Sequence, residues 1–238
     1  MIAVSIVSHG HGAMVMRLIE QLLAFPEIGQ IIVTLNIEES LELPDDEVIT
    51  IIKNGRPKGF AENHNAAFKY CREGYFCPLN PDVYFQKNPF PELLTTMVDE
   101  RVGMVAPRVD SPSGRHEDSW RHFPTIWSLT RKLFGKDSGR YSVPVDGKPF
   151  PPDWVAGMFM LFQAKSYRKV NGFDEKFFLY YEDVDICNRL WQSNIVILAC
   201  PNVSIVHDAR RDSHRKMKHL YWHLSSMSRY FIKRWTNR

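Results

Sequence analysis

Three places in this 238-residue sequence bring together residue types that can do chemistry. Asp82 stands in Leu79-Asn80-Pro81-Asp82-Val83, just past an apolar run that reads as a buried strand. A carboxylate there can close an Asx turn on local backbone N–H groups. It can also ligate a hard divalent cation that shares its oxygen ligands with a substrate's phosphates. The second place is Phe177-Phe178-Leu179-Tyr180-Tyr181-Glu182-Asp183-Val184-Asp185, where aromatics lead straight into carboxylates. Acids at a helix start are favoured by the macrodipole, by about 0.3–1 kcal/mol each. An apolar wall beside them also raises a carboxyl pKa and suits it to general-base work. The third is His207, after Val203–Val206, either a hydrogen-bonded structural residue or a metal ligand. His116, Glu117, Asp118 and His122 look like a ligand set on paper. They lack HExxH spacing and lie among Ser and Gly, so they are set aside as a metal site.

Elements that must position these residues follow from periodicity. Ala3–Val7, Ile31–Leu35, Val48–Ile52, Tyr75–Leu79 and Val102–Ala106 read as buried strands. Ala13–Phe25 carries Met14, Leu18, Leu22 and Phe25 at near-helical spacing, and Ala61–Cys71 places Ala67, Phe68 and Cys71 along a face. Strand and helix in alternation predict a mostly parallel central sheet flanked by helices, an α/β fold of Rossmann-like kind. Ligands in such sheets bind beyond the carboxyl ends of the strands. That directs attention to Ser8, His9, Asn36, Asn54, Gly59, Asn80 and Asp82. Asp110–Arg121 and Asp137–Pro152 read as irregular loops. Trp154–Phe162 reads as a strand, Tyr181–Ser193 as a helix, Ile195–Cys200 and Val203–Val206 as two closing strands, and His214–Trp235 as a final helix.

Composition narrows the class. An apolar fraction of 44% with 24% charged residues fits a globular chain and excludes disorder. The net charge of +3 is mild for a nucleic-acid binder of this size, and the basic tail that concentrates it comes with no nucleic-acid recognition motif. Cys71, Cys77, Cys187 and Cys200 show no CxxC pair or zinc spacing and read as reduced, packed thiols of a cytoplasmic protein. The start lacks a basic n-region, and no run reaches the ~20 apolar residues of a membrane span. A single domain is expected over 1–238, with a first part (1–106), a second part (107–213) and a basic C-terminal helix (214–238).

In combination these stretches are recognisable. Val4-Ser5-Ile6-Val7-Ser8-His9, Lys58-Gly59-Phe60-Ala61-Glu62-Asn63-His64-Asn65 and Leu79-Asn80-Pro81-Asp82 occupy the first half. Trp154-Val155-Ala156-Gly157, Gly172-Phe173-Asp174-Glu175, Tyr181-Glu182-Asp183-Val184-Asp185-Ile186-Cys187 and Arg189 follow. Taken in order they resemble the family-2 glycosyltransferases of GT-A fold, and among them the rhamnosyltransferases of bacterial polysaccharide assembly. The resemblance implies an inverting, metal-dependent transfer of a sugar, rhamnose from dTDP-rhamnose, to a glycan acceptor that is a polysaccharide or lipid-linked. It places Ser8, His9, Asn36, Asn54, Gly59, Phe60, Asn65, Asn80 and Asp82 on the donor side, with Asn36 near the base and Asn65 starting the helix beneath the pocket. Asn80-Pro81-Asp82 stands for the family's DxD motif with its first acid replaced by Asn. Asp82 and His207 are the implied ligands of Mg²⁺ or Mn²⁺. Asp183 is the implied base, and Glu182 orients it or binds acceptor. Trp154, Gly157 and Arg121 fall on the acceptor side, with Arg121-His122-Phe123-Pro124 resembling a recurrent acceptor segment.

The alternatives are the same fold with a UDP-hexose or UDP-N-acetylhexosamine donor, and a non-catalytic sugar-nucleotide binder. The tail has its own pair of readings. Between Arg210 and Arg238 nine Lys or Arg face one carboxylate, Asp212. One reading packs Leu220, Leu224, Met227 and Phe231 on the core. The other sets Arg215, Lys216, Lys218, Arg229, Lys233, Arg234 and Arg238 against the inner face of the cytoplasmic membrane.

Overall fold

The β-branched runs of the first half form strands where their patterning predicts them: β1 (Ile2–Ser8), β2 (Ile28–Leu35), β3 (Ile49–Lys53) and β4 (Tyr75–Leu79). Short β5 (Val83–Tyr84), then β6 (Val102–Asp110), β7 (Trp120–Arg121), β8 (Trp154–Val155), β9 (Leu161–Gln163) and β10 (Val196–His207) follow. The helices are α1 (Ala13–Leu23), α2 (Phe60–Phe68), α3 (Phe90–Thr96), α4 (Ile126–Leu133), α5 (Ala164–Lys169), α6 (Glu182–Gln192) and α7 (Met217–Thr236). This computed structural model describes residues 1–133, 135, 139–141, 143–144, 146–208 and 217–236. Arg215, Lys216, Arg238 and the expected helix start at His214 lie outside the described residues.

Eight strands form one sheet in the order β3-β2-β1-β4-β9-β6-β10-β5. β1 pairs in parallel with β2 and β4, β2 with β3, and β6 with β10. β9 runs antiparallel between β4 and β6, so those two share a direction, and β5 runs antiparallel beside β10. Six strands therefore end on the same edge, which gathers Ser8, Asn36, Asn54, Asn80 and His207 within one rim. α1 and α3 cover one face through Leu18, Leu22, Phe90 and Leu93. α2, α5 and α6 cover the other through Ala67, Tyr167 and Ile186 against Phe76, Met104 and Phe162.

Four expectations are corrected. Trp154–Phe162 is two short strands rather than one, because β8 pairs with β7 in a separate two-stranded sheet while β9 joins β4 and β6. Between them Gly157 N–H donates to Asp183 Oδ2 at 3.2 Å, and Met158 O accepts from Asn80 N–H at 3.0 Å. The two closing strands are a single β10 whose register shifts between Cys200 and Ser204. Pro201 there lacks a ladder donor, and the strand bulges without ending. The boundary placed at residue 106 falls inside β6.

The fourth correction concerns α7. Met227 and Phe231 pack as expected, partly buried against the cluster around Tyr230, but Leu220 and Leu224 are 54% and 47% exposed, and the buried residues of the helix are Ser226 and Tyr230. Polar anchors set this rotation. Ser226 Oγ donates to Leu179 O at 2.9 Å. Lys233 Nζ lies 2.7 Å from both Asp174 Oδ2 and Asp185 Oδ1. Tyr230 closes a small cluster with Phe177, Tyr181 and Val184. Lys233 and Arg234 consequently turn toward the protein and are not part of a solvated basic face.

Candidate functional site

The strand ends of β2, β3 and the following loop are tied by three asparagines. Asn36 Oδ1 accepts from Lys58 N–H at 2.8 Å and from Asn54 Nδ2 at 2.9 Å, and Asn36 Nδ2 donates to Lys58 O at 3.0 Å. Asn54 Nδ2 also donates to Asn63 Oδ1 at 2.7 Å. Buried Asn36 thus spends its amide on shaping the loop that presents Gly59. His9 lies exposed at the same rim, its Nδ1 3.3 Å from Asn36 Nδ2, and Ser8 is buried beneath it.

Gly59 caps α2, and a Cβ there would stand 2.4 Å from Phe178 O. Only glycine lets Phe60 N–H donate to that carbonyl at 3.0 Å. The helix starts at Phe60, so the expectation that Asn65 opens it is corrected. Asn65 sits mid-helix and holds the 172–175 loop: its Oδ1 accepts from Phe173 N–H and Tyr167 OH, and its Nδ2 donates to Phe173 O and Glu175 Oε1.

Asp82 and His207 meet across the sheet edge. Asp82 Oδ1 lies 3.3 Å from His207 Nε2, yet without hydrogen-bond alignment; this buried oxygen has no hydrogen-bond partner. Asp82 O accepts from Asp208 N–H at 2.8 Å, which fixes the two segments together. His207 Nδ1 meets Glu117 Oε2 at 2.8 Å. Burial disfavours charge on His207, but Asp82 and Glu117 outweigh it and raise its pKa. A carboxylate on one ring nitrogen and an open carboxylate oxygen beside the other is how metal-binding histidines are oriented. Among the described residues no group of three His, Cys, Asp or Glu is placed to hold a metal ion. Asp82 and His207 together offer one oxygen and one nitrogen donor, the kind of partial set that suits a divalent cation sharing its other ligands with phosphate oxygens and water. Glu117 was missed because it lies 90 residues from His207 and its local sequence gives no ligand spacing.

Asp183 is held by two backbone donors, Val184 N–H on Oδ1 at 2.8 Å and Gly157 N–H on Oδ2 at 3.2 Å. Burial pushes its pKa up to about 6, against the pull of those N–H groups and of Arg121. Glu182 is more buried and its Oε2 has no hydrogen-bond partner. Burial first, then the neighbouring Asp183, keep it protonated well above the carboxylate range. The pair thus divides into a neutral Glu182 and an ionisable Asp183. Tyr180 and Tyr181, at φ 71° and 67°, are left-handed residues that turn the chain sharply into α6. Such residues cost on the order of 1–3 kcal/mol each and persist where packing over-determines them. Here α7 supplies that packing: Tyr180 OH meets His219 Nδ1 at 3.0 Å, and the Tyr181 and Tyr230 rings lie 5.6 Å apart.

Arg121, Trp154 and Gly157, expected on the acceptor side, lie together near Asp183. Arg121 stacks over Trp154 at 5.8 Å and pairs with Asp118 at 3.2 Å. Trp154 Nε1 donates to His122 O at 2.9 Å. A Cβ on Gly157 would lie 3.4 Å from Phe60 Cζ and 3.7 Å from Asp183 Cβ, so Phe60, Gly157 and Asp183 share one floor. Asp185 is excluded from the site by its ion pairs to Arg189 and Lys233.

This architecture matches solved glycosyltransferases. GalNAc-T7 with UDP, GalNAc and Mn²⁺ superposes with a TM-score of 0.71 at 14% identity, covering 89% of this chain and 43% of that one. The mannosyltransferase PcManGT from Pyrobaculum calidifontis, in complex with GDP-Man and Mn²⁺, gives 0.64 at 13% identity, covering 96% and 64%. The fold is GT-A, and the protein is a glycosyltransferase.

More particularly, the chain belongs to glycosyl transferase family 2, whose family model matches residues 33–162. A second model, the N-terminal domain of galactosyltransferase, matches residues 146–220. Rhamnosyltransferase WbbL of Escherichia coli (strain K12) is 28% identical over 247 residues, covering 98% of this chain and 94% of that protein. The N-acetylglucosaminyl-diphospho-decaprenol L-rhamnosyltransferase of Mycobacterium tuberculosis is 26% identical over 141 residues, and the match spans 54% of this chain and 45% of that protein.

Proposed function

We propose that this protein is an inverting, cation-dependent rhamnosyltransferase that moves the sugar of dTDP-rhamnose to a hydroxyl of a lipid-linked or polysaccharide glycan. The observation that carries the reaction type is Asp183, an ionisable carboxyl fixed by two backbone N–H groups among Arg121, Trp154 and Gly157. The sugar assignment is supported by the near full-length likeness to a rhamnosyltransferase. The lipid-linked acceptor is supported by the name of the mycobacterial relative.

Ser8, His9, Gly59 and Phe60 border the nucleotide at the strand ends, with Asn36 and Asn54 shaping the loop and Asn80 beside Asp82. Asp82 and His207 would hold Mg²⁺ or Mn²⁺, which supplies neutralisation of the charge gathering on the departing diphosphate. Asp183 takes the proton of the acceptor hydroxyl. The acceptor oxygen bonds the anomeric carbon from the face opposite the breaking C–O bond, whose electron pair leaves with the diphosphate. One displacement inverts the centre. Neutral Glu182 keeps a second negative charge away from the base, and Arg121 and Trp154 seat the acceptor sugar. Segment 156–158 links the two halves of the chemistry, since it bonds both Asp183 and Asn80.

A UDP-hexose donor is the second reading, favoured by the galactosyltransferase model over residues 146–220. Incubation of the purified protein with dTDP-rhamnose, UDP-sugars and GDP-sugars, with and without Mg²⁺ or Mn²⁺, decides between them by mass spectrometry. Turnover of dTDP-rhamnose that needs the cation is expected; turnover of a UDP-sugar alone refutes the rhamnosyl assignment.

A further inference from the structure

We propose that the outer face of α7, together with α4, docks the protein on an anionic lipid bilayer. Met217, Leu220, Leu224, Met227, Phe231 and Trp235 recur at steps of three and four residues, so they share one stripe of α7. Met217, Leu220, Leu224 and Trp235 of this stripe face solvent, while Met227 and Phe231 also pack, partly buried, against the Tyr230 cluster; Ser226, Tyr230 and Lys233 anchor the opposite side. Tyr221 and Ile232 widen it, at 69% and 65% exposure, and Trp235 at its end is 82% exposed.

α4 continues the surface. Ile126 and Trp127 are 70% and 72% exposed. A groove of about 670 Å³ runs between the helices, lined by Pro124, Ile126, Met227, Phe231, Ile232 and Trp235. Arg234 joins them, donating to Pro124 O at 3.3 Å and lying over the Phe123 ring at 5.6 Å. An exposed apolar surface that joins two helices this way marks an interaction site.

Charge selects the occupant. Neither helix contains an Asp or Glu. Exposed Lys218 and Arg229 edge the stripe on α7, and exposed Arg131 lies on α4. A second copy would bring the same cationic rim against this one and be repelled. An anionic headgroup layer is complementary to the rim, while Trp127, Trp235 and Tyr221 suit the headgroup boundary. No helix among the described residues is long and apolar enough to cross a membrane, so the contact is interfacial. α7 also packs on Tyr180 through His219 and on Tyr181 through Tyr230, just ahead of Asp183, which puts the docking helix beside the acceptor side of the site. The docking surface rests on no assignment of donor or sugar.

Flotation with vesicles of phosphatidylcholine containing phosphatidylglycerol, against phosphatidylcholine alone, tests this on the full chain. Binding is expected only with the anionic lipid and should fall with salt. Lys218→Gln with Arg229→Gln should weaken partition by about five-fold per charge. Ile232→Ser with Trp235→Ser should weaken it by at least about ten-fold each, with an unchanged melting temperature because both side chains are exposed. Equal binding to neutral vesicles, or recovery of the wild type in the aqueous fraction throughout, overturns the proposal. So does a concentration-dependent dimer that the Ile232/Trp235 variant abolishes, since the face would then be a self-interface. Donor turnover in solution is measured in parallel and separates failure of docking from failure of the transferase reading.

Discussion

Replacing Asp183 by Asn keeps the side-chain shape and removes the charge, and the structure predicts opposite effects on turnover and stability. Turnover should fall by about 10²–10⁴-fold, the usual contribution of a general base. Stability should rise. Burial lifts the folded-state pKa of Asp183 from 3.8 to about 6, so ionising it works against the fold. At about 1.4 kcal/mol per pKa unit, a carboxyl fully cut off from water would lose about 3 kcal/mol. Asp183 retains a solvent-facing edge, which lowers the expected figure to about 2 kcal/mol. The sign follows from linkage: a carboxyl whose pKa is raised by folding loses stability as pH rises from its unfolded toward its folded pKa. Wild type and variant should therefore melt together near pH 4 and diverge to a plateau above about pH 6. The plateau gap should be about 4–8 °C for a chain of this size. Wild-type turnover should lose its active fraction as pH falls through about 6, giving the acid limb of the rate profile. Differential scanning calorimetry across pH and mass-spectrometric donor turnover provide the two readouts. A variant with turnover within ten-fold of wild type, or a melting gap that does not change with pH, would refute the assignment of Asp183 as a buried base.

Three further variants test the rest of the site. Asp82→Ala should abolish cation-dependent nucleotide binding in calorimetry while the protein stays folded; binding unchanged by the cation's presence would remove Asp82 from the ligand set. Glu117→Ala should weaken Mn²⁺ affinity in the presence of nucleoside diphosphate by about 10–100-fold, with partial rescue in Glu117→Gln, because the imidazole loses the group that orients it. Affinity equal to wild type in Glu117→Ala would make the 2.8 Å contact merely structural. Lys233→Ala strips one partner from nearly buried Asp185 and should destabilise the fold by about 3 kcal/mol, read from urea unfolding.

The sheet was legible because its evidence is local. Runs such as Tyr75–Leu79, β-rich and bounded by polar residues, have few alternatives to a buried strand. Alternation with helical patterns then directs every parallel strand to one edge, so Ser8, Asn36, Asn54 and Asn80 were identifiable as rim residues from order alone. The order of types around Glu182 and Asp183 likewise announced a helix start behind an aromatic wall, as found.

What the sequence could not carry is whatever depends on distant partners. Leu220, Leu224, Met227 and Phe231 are as helical in spacing as any core stripe, and periodicity cannot say which face of α7 turns inward. Ser226, Tyr230 and Lys233 decided it through Leu179, Phe177, Asp174 and Asp185, none of them near in sequence. Asn65 looked like a ligand-facing residue because of its motif, yet bonds to residues more than a hundred positions away make it a brace. Glu117 sat in a loop set aside as solvated, and only the return of β10 beside β5 and β6 brings His207 against it. Sequence thus determined which residue types stand at the strand ends. Tertiary structure decided which of them face one another, because hydrogen bonds and ion pairs over long separations fix rotation and register, and no local pattern encodes them.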